Sequence, residues 1–106
     1  MKLGLVINTN NPEKAWNAFR LAVTSKLSGH EVKVFLLGAG VEVENIRDEK
    51  FNVREQLEKF LEVGGEILAC GTCLKIRQQE EGVCPVSTMK DLVNLIEKSD
   101  KVLVIG

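Results

Sequence analysis

The feature that most limits the fold is an alternation along the chain. Short, nearly all-apolar runs are separated by longer stretches whose apolar residues recur at helical spacing. "KLGLVI" (2–7) is the first such run. It is too short for a buried helix and has no polar alternation, so it reads as a strand buried on both faces of a parallel sheet. "NPEKAWNAFRLAVTSKLSGH" follows. Asn11 can cap a helix there and Pro12 suits its first position. Trp16, Phe19, Val23 and Leu27, with Ala15 and Ala22 beside them, form its expected inner face, and Gly29 stops it. "EVKVFLL" (31–37) reads as a second strand, with Lys33 marking a less buried place in the sheet.

The pattern then repeats. Gly38 to Lys50 is acidic and irregular and is expected to be a surface loop. Asn52 with Glu55 resembles a capping box, and Val53, Leu57, Phe60 and Leu61 give one apolar helix face that ends at Gly64-Gly65. "EILAC" (66–70) is a third strand and "TCLKIRQQEEG" a short helix or turn. "VCPV" (83–86) reads as a brief strand that Pro85 confines to a sheet edge. Thr88 with Asp91 suggests another cap before Met89, Leu92, Val93 and Ile96, and "KVLVI" (101–105) closes the pattern. Strands alternating with amphipathic helices imply an α/β fold with a parallel sheet covered on both faces. At 106 residues, without linker or repeat, residues 1–106 form a single domain.

Composition narrows the function. With 14 Lys and Arg against 15 Asp and Glu, the net charge of −1 gives no reason to expect nucleic acid or an anionic membrane as partner. No apolar run approaches the ~20 residues of a membrane span. The amino-terminal stretch reaches Asn and Pro too early for a signal peptide, so a cytoplasmic, reducing location is expected. Three cysteines in such a chain point to reactivity or metal binding rather than to a disulfide scaffold.

Chemistry concentrates in "ILACGTCLKIR" (67–77). Cys70 falls at the carboxyl end of the third strand, where sites gather in open parallel sheets, and Cys73 falls in the first turn that follows. Backbone amides there favour a thiolate, and Lys75 and Arg77 can add positive charge, so a thiol more acidic than the free value of about 8.5 is expected. Several readings stand at this point. Cys70 can be a small core residue. A zinc site needs four ligands and finds one Cys-x-x-Cys, Cys84 and the distant His30, so no metal is expected within one chain. The spacing suits thiol–disulfide exchange, although the flanking Trp and Pro of thioredoxin-like sites are missing. "GAG" (38–40) lacks the spacing of a nucleotide loop. "NTNNP" (8–12) is explained by turn formation and capping.

"ACGTCLKIR" (69–77) at the end of the third strand, with "NPEKAWNAFRLAVTSKLSGHEVKVFLLGAGV" (11–41) and "VSTMKDLVNLIEKSDKVLVIG" (86–106), resembles the DsrE/DsrF-like (DsrEFH) sulfur-relay family over nearly the whole chain. The resemblance implies a three-layer α/β/α sandwich with a parallel sheet of about five strands, assembled as a homo-oligomer, a trimer or hexamer. It also implies carriage of sulfane sulfur as a cysteine persulfide, received from a donor protein and passed to an acceptor, with no cofactor. In members of known sulfur chemistry a single cysteine precedes an Arg-Arg-Gly. Laid on without gaps, that cysteine falls on Cys70 and the second arginine on Arg77, with Ile76 and Gln78 in the places of the family's Arg and Gly. A related branch has Cys-Gly-Thr-Cys itself. The resemblance therefore implies Cys70 as the persulfide carrier and Cys73 as a resolving thiol. An oligomeric binding module with structural cysteines, or a disulfide oxidoreductase, remain the alternatives.

Overall fold

A computed structural model describes all residues 1–106. Strand β1 (Lys2–Ile7) leads to helix α1 (Pro12–Leu27), β2 (Glu31–Leu36), a 3-10 segment (Gly38–Asn45), α2 (Val53–Glu62), β3 (Glu66–Cys70), α3 (Gly71–Ile76), β4 (Val86–Ser87), α4 (Met89–Lys98) and β5 (Lys101–Ile105). The five strands form one parallel sheet in the order β4-β3-β2-β1-β5. The connections from β1 to β4 step in one direction and the last returns past β1. Right-handed crossovers then place α1 and α2 on one face and α4 on the other. This is the expected α/β fold with helices on both sides of the sheet.

Register assigns the faces. Leu3, Leu5 and Ile7 align with Val32, Val34 and Leu36, while Gly4 and Val6 align with Lys33 and Phe35 on one side and Val102 and Val104 on the other. A Cβ on Gly4 would meet Leu95 Cδ2 at 2.5 Å and Ser99 Oγ at 2.8 Å, so the missing side chain is what lets α4 lie close on β1. On the opposite face Phe19 of α1 and Phe60 of α2 meet with ring centroids 6.4 Å apart, both fully buried. Lys33 is only half-buried and pairs with Glu66 at 3.6 Å, as its place in the strand suggests.

Local signals set the helix starts. Asn11 Oδ1 accepts from the Lys14 amide at 3.0 Å, and Asn52 Oδ1 from the Glu55 amide at 3.1 Å. Thr88 and Asp91 form a reciprocal capping box, in which Asp91 also accepts from Ser87 Oγ. Ser87 first, and then the Thr88 amide, hold the Asp91 carboxyl below the ordinary carboxylate range.

Four expectations are corrected. Gly38 to Asn45 is not a surface loop: its 3-10 turns bury Val41, Val43 and Glu44, because Gly40 lies directly on the Ile7 carbonyl. Leu27 does not join the α1 core but stands 69% exposed at the last turn. The brief strand near Pro85 is indeed at the sheet edge but comprises Val86–Ser87, because Pro85 contributes only its carbonyl, which accepts from the Ala69 amide at 2.8 Å. On α4 the core takes Leu92 and Leu95, while Met89, Val93 and Ile96 are left exposed on an outer stripe.

Candidate functional site

The site is built where β3 becomes α3. Cys70 is the last residue of β3 and also the N-cap of α3, and its Sγ accepts from the Cys73 amide at 3.5 Å. A sulfur here takes the place of the oxygen that usually caps a helix. Gly71 allows the turn: a Cβ there would meet Val86 Cγ1 at 2.9 Å and the Ser87 carbonyl at 3.3 Å. Leu74 anchors the short helix in the core. Gln78, at φ 52°, turns the chain away, and Gln79 Nε2 donates to the Val41 carbonyl at 2.8 Å.

The two thiols are free and differ in setting. Cys70 is 2% exposed. Burial raises its thiol above the ordinary value, and a side-chain hydrogen bond with Cys73 raises it further. The Cys73 and Thr72 amides pull the other way but do not prevail. The expectation of a more acidic thiol therefore does not hold at Cys70, because desolvation exceeds the effect of the amides. Cys73 is partly exposed, and its Sγ accepts from the Gly38 amide at 3.2 Å. That amide comes from a different part of the chain. Gly38, at φ 57°, turns it toward the sulfur, and a Cβ at Gly38 would strike Asn8 Oδ1.

Arg77 does not direct its charge at the sulfurs. Its Nε lies 3.5 Å from Glu42 Oε2, which also accepts from Asn10 Nδ2 at 3.0 Å, and its Nη1 donates to the Cys73 carbonyl at 3.4 Å. Lys75 is exposed. Asn10 and Glu42 escaped the sequence reading because their partner lies far along the chain. The signal that pointed nearest was "GAG", two glycines directly after a strand, where a backbone must come close to something.

Cys84 is apart from the pair, buried at 1%. Burial first, and then the neighbouring Glu44 carboxylate, push its thiol up to about 12. Glu44 Oε1 in turn accepts from the Val83 amide at 2.7 Å. Cys84 is expected to resist iodoacetamide in the folded chain and to label only on unfolding. Its folded value lies above the ordinary 9.0. The neutral thiol therefore contributes stability that is whole below that pH and is lost as pH climbs toward about 12. Wild type should lose thermal stability above pH 9.0 more steeply than Cys84→Ala; parallel alkaline slopes would contradict this assignment.

His30 lies near the amino ends of the strands, where its Nδ1 meets the terminal ammonium at 3.0 Å. No group of three or more His, Cys, Asp and Glu side chains converges as metal ligands would. No helix is long and apolar enough to cross a membrane. A cleft of about 310 Å³ near the amino ends of β1 and β2 is lined by Lys2, Lys26, Lys33 and Lys98 and by Glu31 and Glu66, with no cysteine in it.

The fold and the cysteine pair define a parallel α/β domain with paired thiols at the carboxyl edge of its sheet. The family model described as "DsrE/DsrF-like family" matches residues 1–105, and the chain belongs to that family. Membership supports a sulfur-relay-type role at the level of the family. An uncharacterized protein of Methanopyrus kandleri is 41% identical over 99 residues, covering 86% of this chain and 81% of the relative. Another from Methanocaldococcus jannaschii is 37% identical over 108 residues, covering 92% and 95%. Among solved structures, a conserved protein of unknown function from Bacteroides thetaiotaomicron superposes with a TM-score of 0.81 at 23% identity, covering 98% of this chain and 94% of that one. A protein of unknown function from Methanobacterium thermoautotrophicum gives 0.73 at 11%, covering 97% of each. These likenesses show the fold.

Proposed function

We propose that this protein carries sulfane sulfur as a cysteine persulfide on the Cys70–Cys73 pair, taking it from a persulfide or polysulfide donor and yielding it to a thiol acceptor. The observation that carries this reading is the pair itself: two free thiols three residues apart, the Cys73 amide donating to Cys70 Sγ, at the carboxyl edge of the sheet of a DsrE/DsrF-like chain. The chemistry uses thiolates alone and needs no metal or organic cofactor. A reducing, cytoplasmic setting, which keeps both thiols free, goes with it.

The same reading includes assembly with further copies of this chain, as a trimer or hexamer. Met89, Val93 and Ile96 stand 56%, 52% and 48% exposed on one stripe of α4, and Val104 of the edge strand β5 is 63% exposed on the sheet face that α4 covers. β5 has five residues without proline, unlike the two-residue β4 at the other edge. An unguarded edge beside an apolar stripe suits a second copy of the chain.

The thiol pair also suits a dithiol–disulfide couple, and one experiment separates the two. Intact mass is measured after anaerobic incubation with inorganic polysulfide, for wild type and for Cys70→Ser/Cys73→Ser. Sulfur carriage predicts gain of one sulfur atom by wild type at early times and none by the double variant. Loss of two hydrogens with no sulfur-loaded form preceding it would favour the disulfide couple. No change in either would overturn both readings in favour of a binding module.

A further inference from the structure

We infer that Cys73 is the thiol at which sulfane sulfur enters, and that Cys70 is the covered partner that discharges it as sulfide. This assignment rests on the sulfur-carrying reading and reverses the roles that alignment with single-cysteine relatives implies.

Access is the first ground. Transfer between sulfurs requires the attacking sulfur to approach in line with the bond that breaks, with the donor's leaving sulfur on the far side. Cys70 is 2% exposed and cannot meet a donor without local opening, whereas Cys73 is partly exposed. The second ground is the Gly38 amide, which donates to Cys73 Sγ at 3.2 Å from the turn after β2. It holds the rotamer and offers a hydrogen bond to charge that develops on that sulfur during transfer. Third, the backbone of Cys73 is tied down. Arg77 donates to its carbonyl, and Arg77 is held by Glu42, which Asn10 holds in turn. Cys70 has no donor from outside its own turn; its Sγ accepts from the Cys73 amide at 3.5 Å. It is placed to attack Cys73 and little else. Its raised thiol agrees with a group that stays protonated until its partner is loaded.

The steps balance. The Cys73 thiolate attacks the sulfane sulfur of a donor R–S–S⁻. A new S–S bond forms at Cys73, the donor S–S bond breaks, and R–S⁻ leaves with the electron pair. Cys70 then gives its proton to the outer persulfide sulfur, and the Cys70 thiolate attacks Cys73 Sγ, forming the Cys70–Cys73 disulfide and breaking the persulfide bond. The outer sulfur leaves with the electron pair and the Cys70 proton as HS⁻. The sulfane sulfur is reduced by two electrons and the dithiol is oxidised to a disulfide, which an external thiol reductant must reopen. When an acceptor thiolate attacks the outer sulfur first, the sulfur is transferred and Cys73 returns to its thiolate.

The test uses wild type, Cys70→Ser and Cys73→Ser, each first shown to be folded by its thermal transition. Each is loaded anaerobically with inorganic polysulfide, quenched over time with an alkylating agent and mapped by peptide mass. Cys70→Ser is expected to gain one sulfur on Cys73 and keep it. Cys73→Ser should gain none at early times, and wild type should release sulfide in step with disulfide formation. In unloaded wild type, Cys73 should alkylate at least about tenfold faster than Cys70. Uptake that survives Cys73→Ser but not Cys70→Ser would overturn the assignment and leave the sulfur-carrying reading intact, as would equal uptake by both single variants. No uptake by any form would overturn both.

Discussion

Replacing Gly40 by alanine is expected to lower stability by about 2–3 kcal/mol, which for a domain of this size is a fall of roughly 10–15 °C in the thermal midpoint. The added Cβ would land on the carbonyl oxygen of Ile7 and lie 2.8 Å from the carbonyl carbon. Both atoms belong to β1, which is hydrogen-bonded to β2 and β5 on either side, so neither can retreat without moving the middle of the sheet. The turn must move instead, and it carries the Gly38 amide that donates to Cys73. Circular dichroism melting of wild type and variant checks the expectation. An unchanged midpoint would mean that the turn does not pack on β1 as described.

A second large effect is expected on assembly. Val93 and Val104 are 52% and 63% exposed and are valine where an isolated domain would carry polar groups. If further copies of the chain cover this surface, Val93→Glu/Val104→Glu buries two carboxylates at each interface. Unpaired charges there cost several kcal/mol, more than a small interface can absorb. Light scattering should show wild type as a trimer or hexamer at micromolar concentration and the variant as a folded monomer. A monomeric wild type, or a variant that assembles like wild type, would contradict the interface.

Much of the fold was legible because its signals are local. "KLGLVI" and "KVLVI" stand as apolar runs between turn residues, Asn11, Asn52 and Thr88 cap the helices they precede, and Pro85 keeps its strand at the edge. The family resemblance was carried by Cys70-Gly71-Thr72-Cys73 at the end of β3, and the family match spans residues 1–105.

What was missed depends on contacts across the chain. Val41 and Val43 are buried because Gly40 meets β1, and the glycines of "GAG" mark a close approach without naming the strand approached. Periodicity places Met89, Leu92, Val93 and Ile96 on one broad apolar face, but it cannot say which part of that face the sheet takes. The sheet takes the part with Leu92 and Leu95. At the site, sequence brought Cys70 and Cys73 together but could not show that one is covered and the other partly exposed. Nor could it turn Arg77 toward Glu42, which lies thirty-five positions earlier. Adjacency in sequence specified the pair; burial and the Gly38 amide distinguish its members.

Whether the pair holds sulfane sulfur is read from cyanide-labile sulfur. Wild type and Cys70→Ser/Cys73→Ser are loaded anaerobically with inorganic polysulfide, desalted rapidly and treated with cyanide, which removes only sulfane sulfur and yields thiocyanate. Wild type is predicted to give thiocyanate approaching about one per chain at early times, before discharge as sulfide is complete, and the double variant only background. Thiocyanate from wild type no greater than from the double variant would contradict the account.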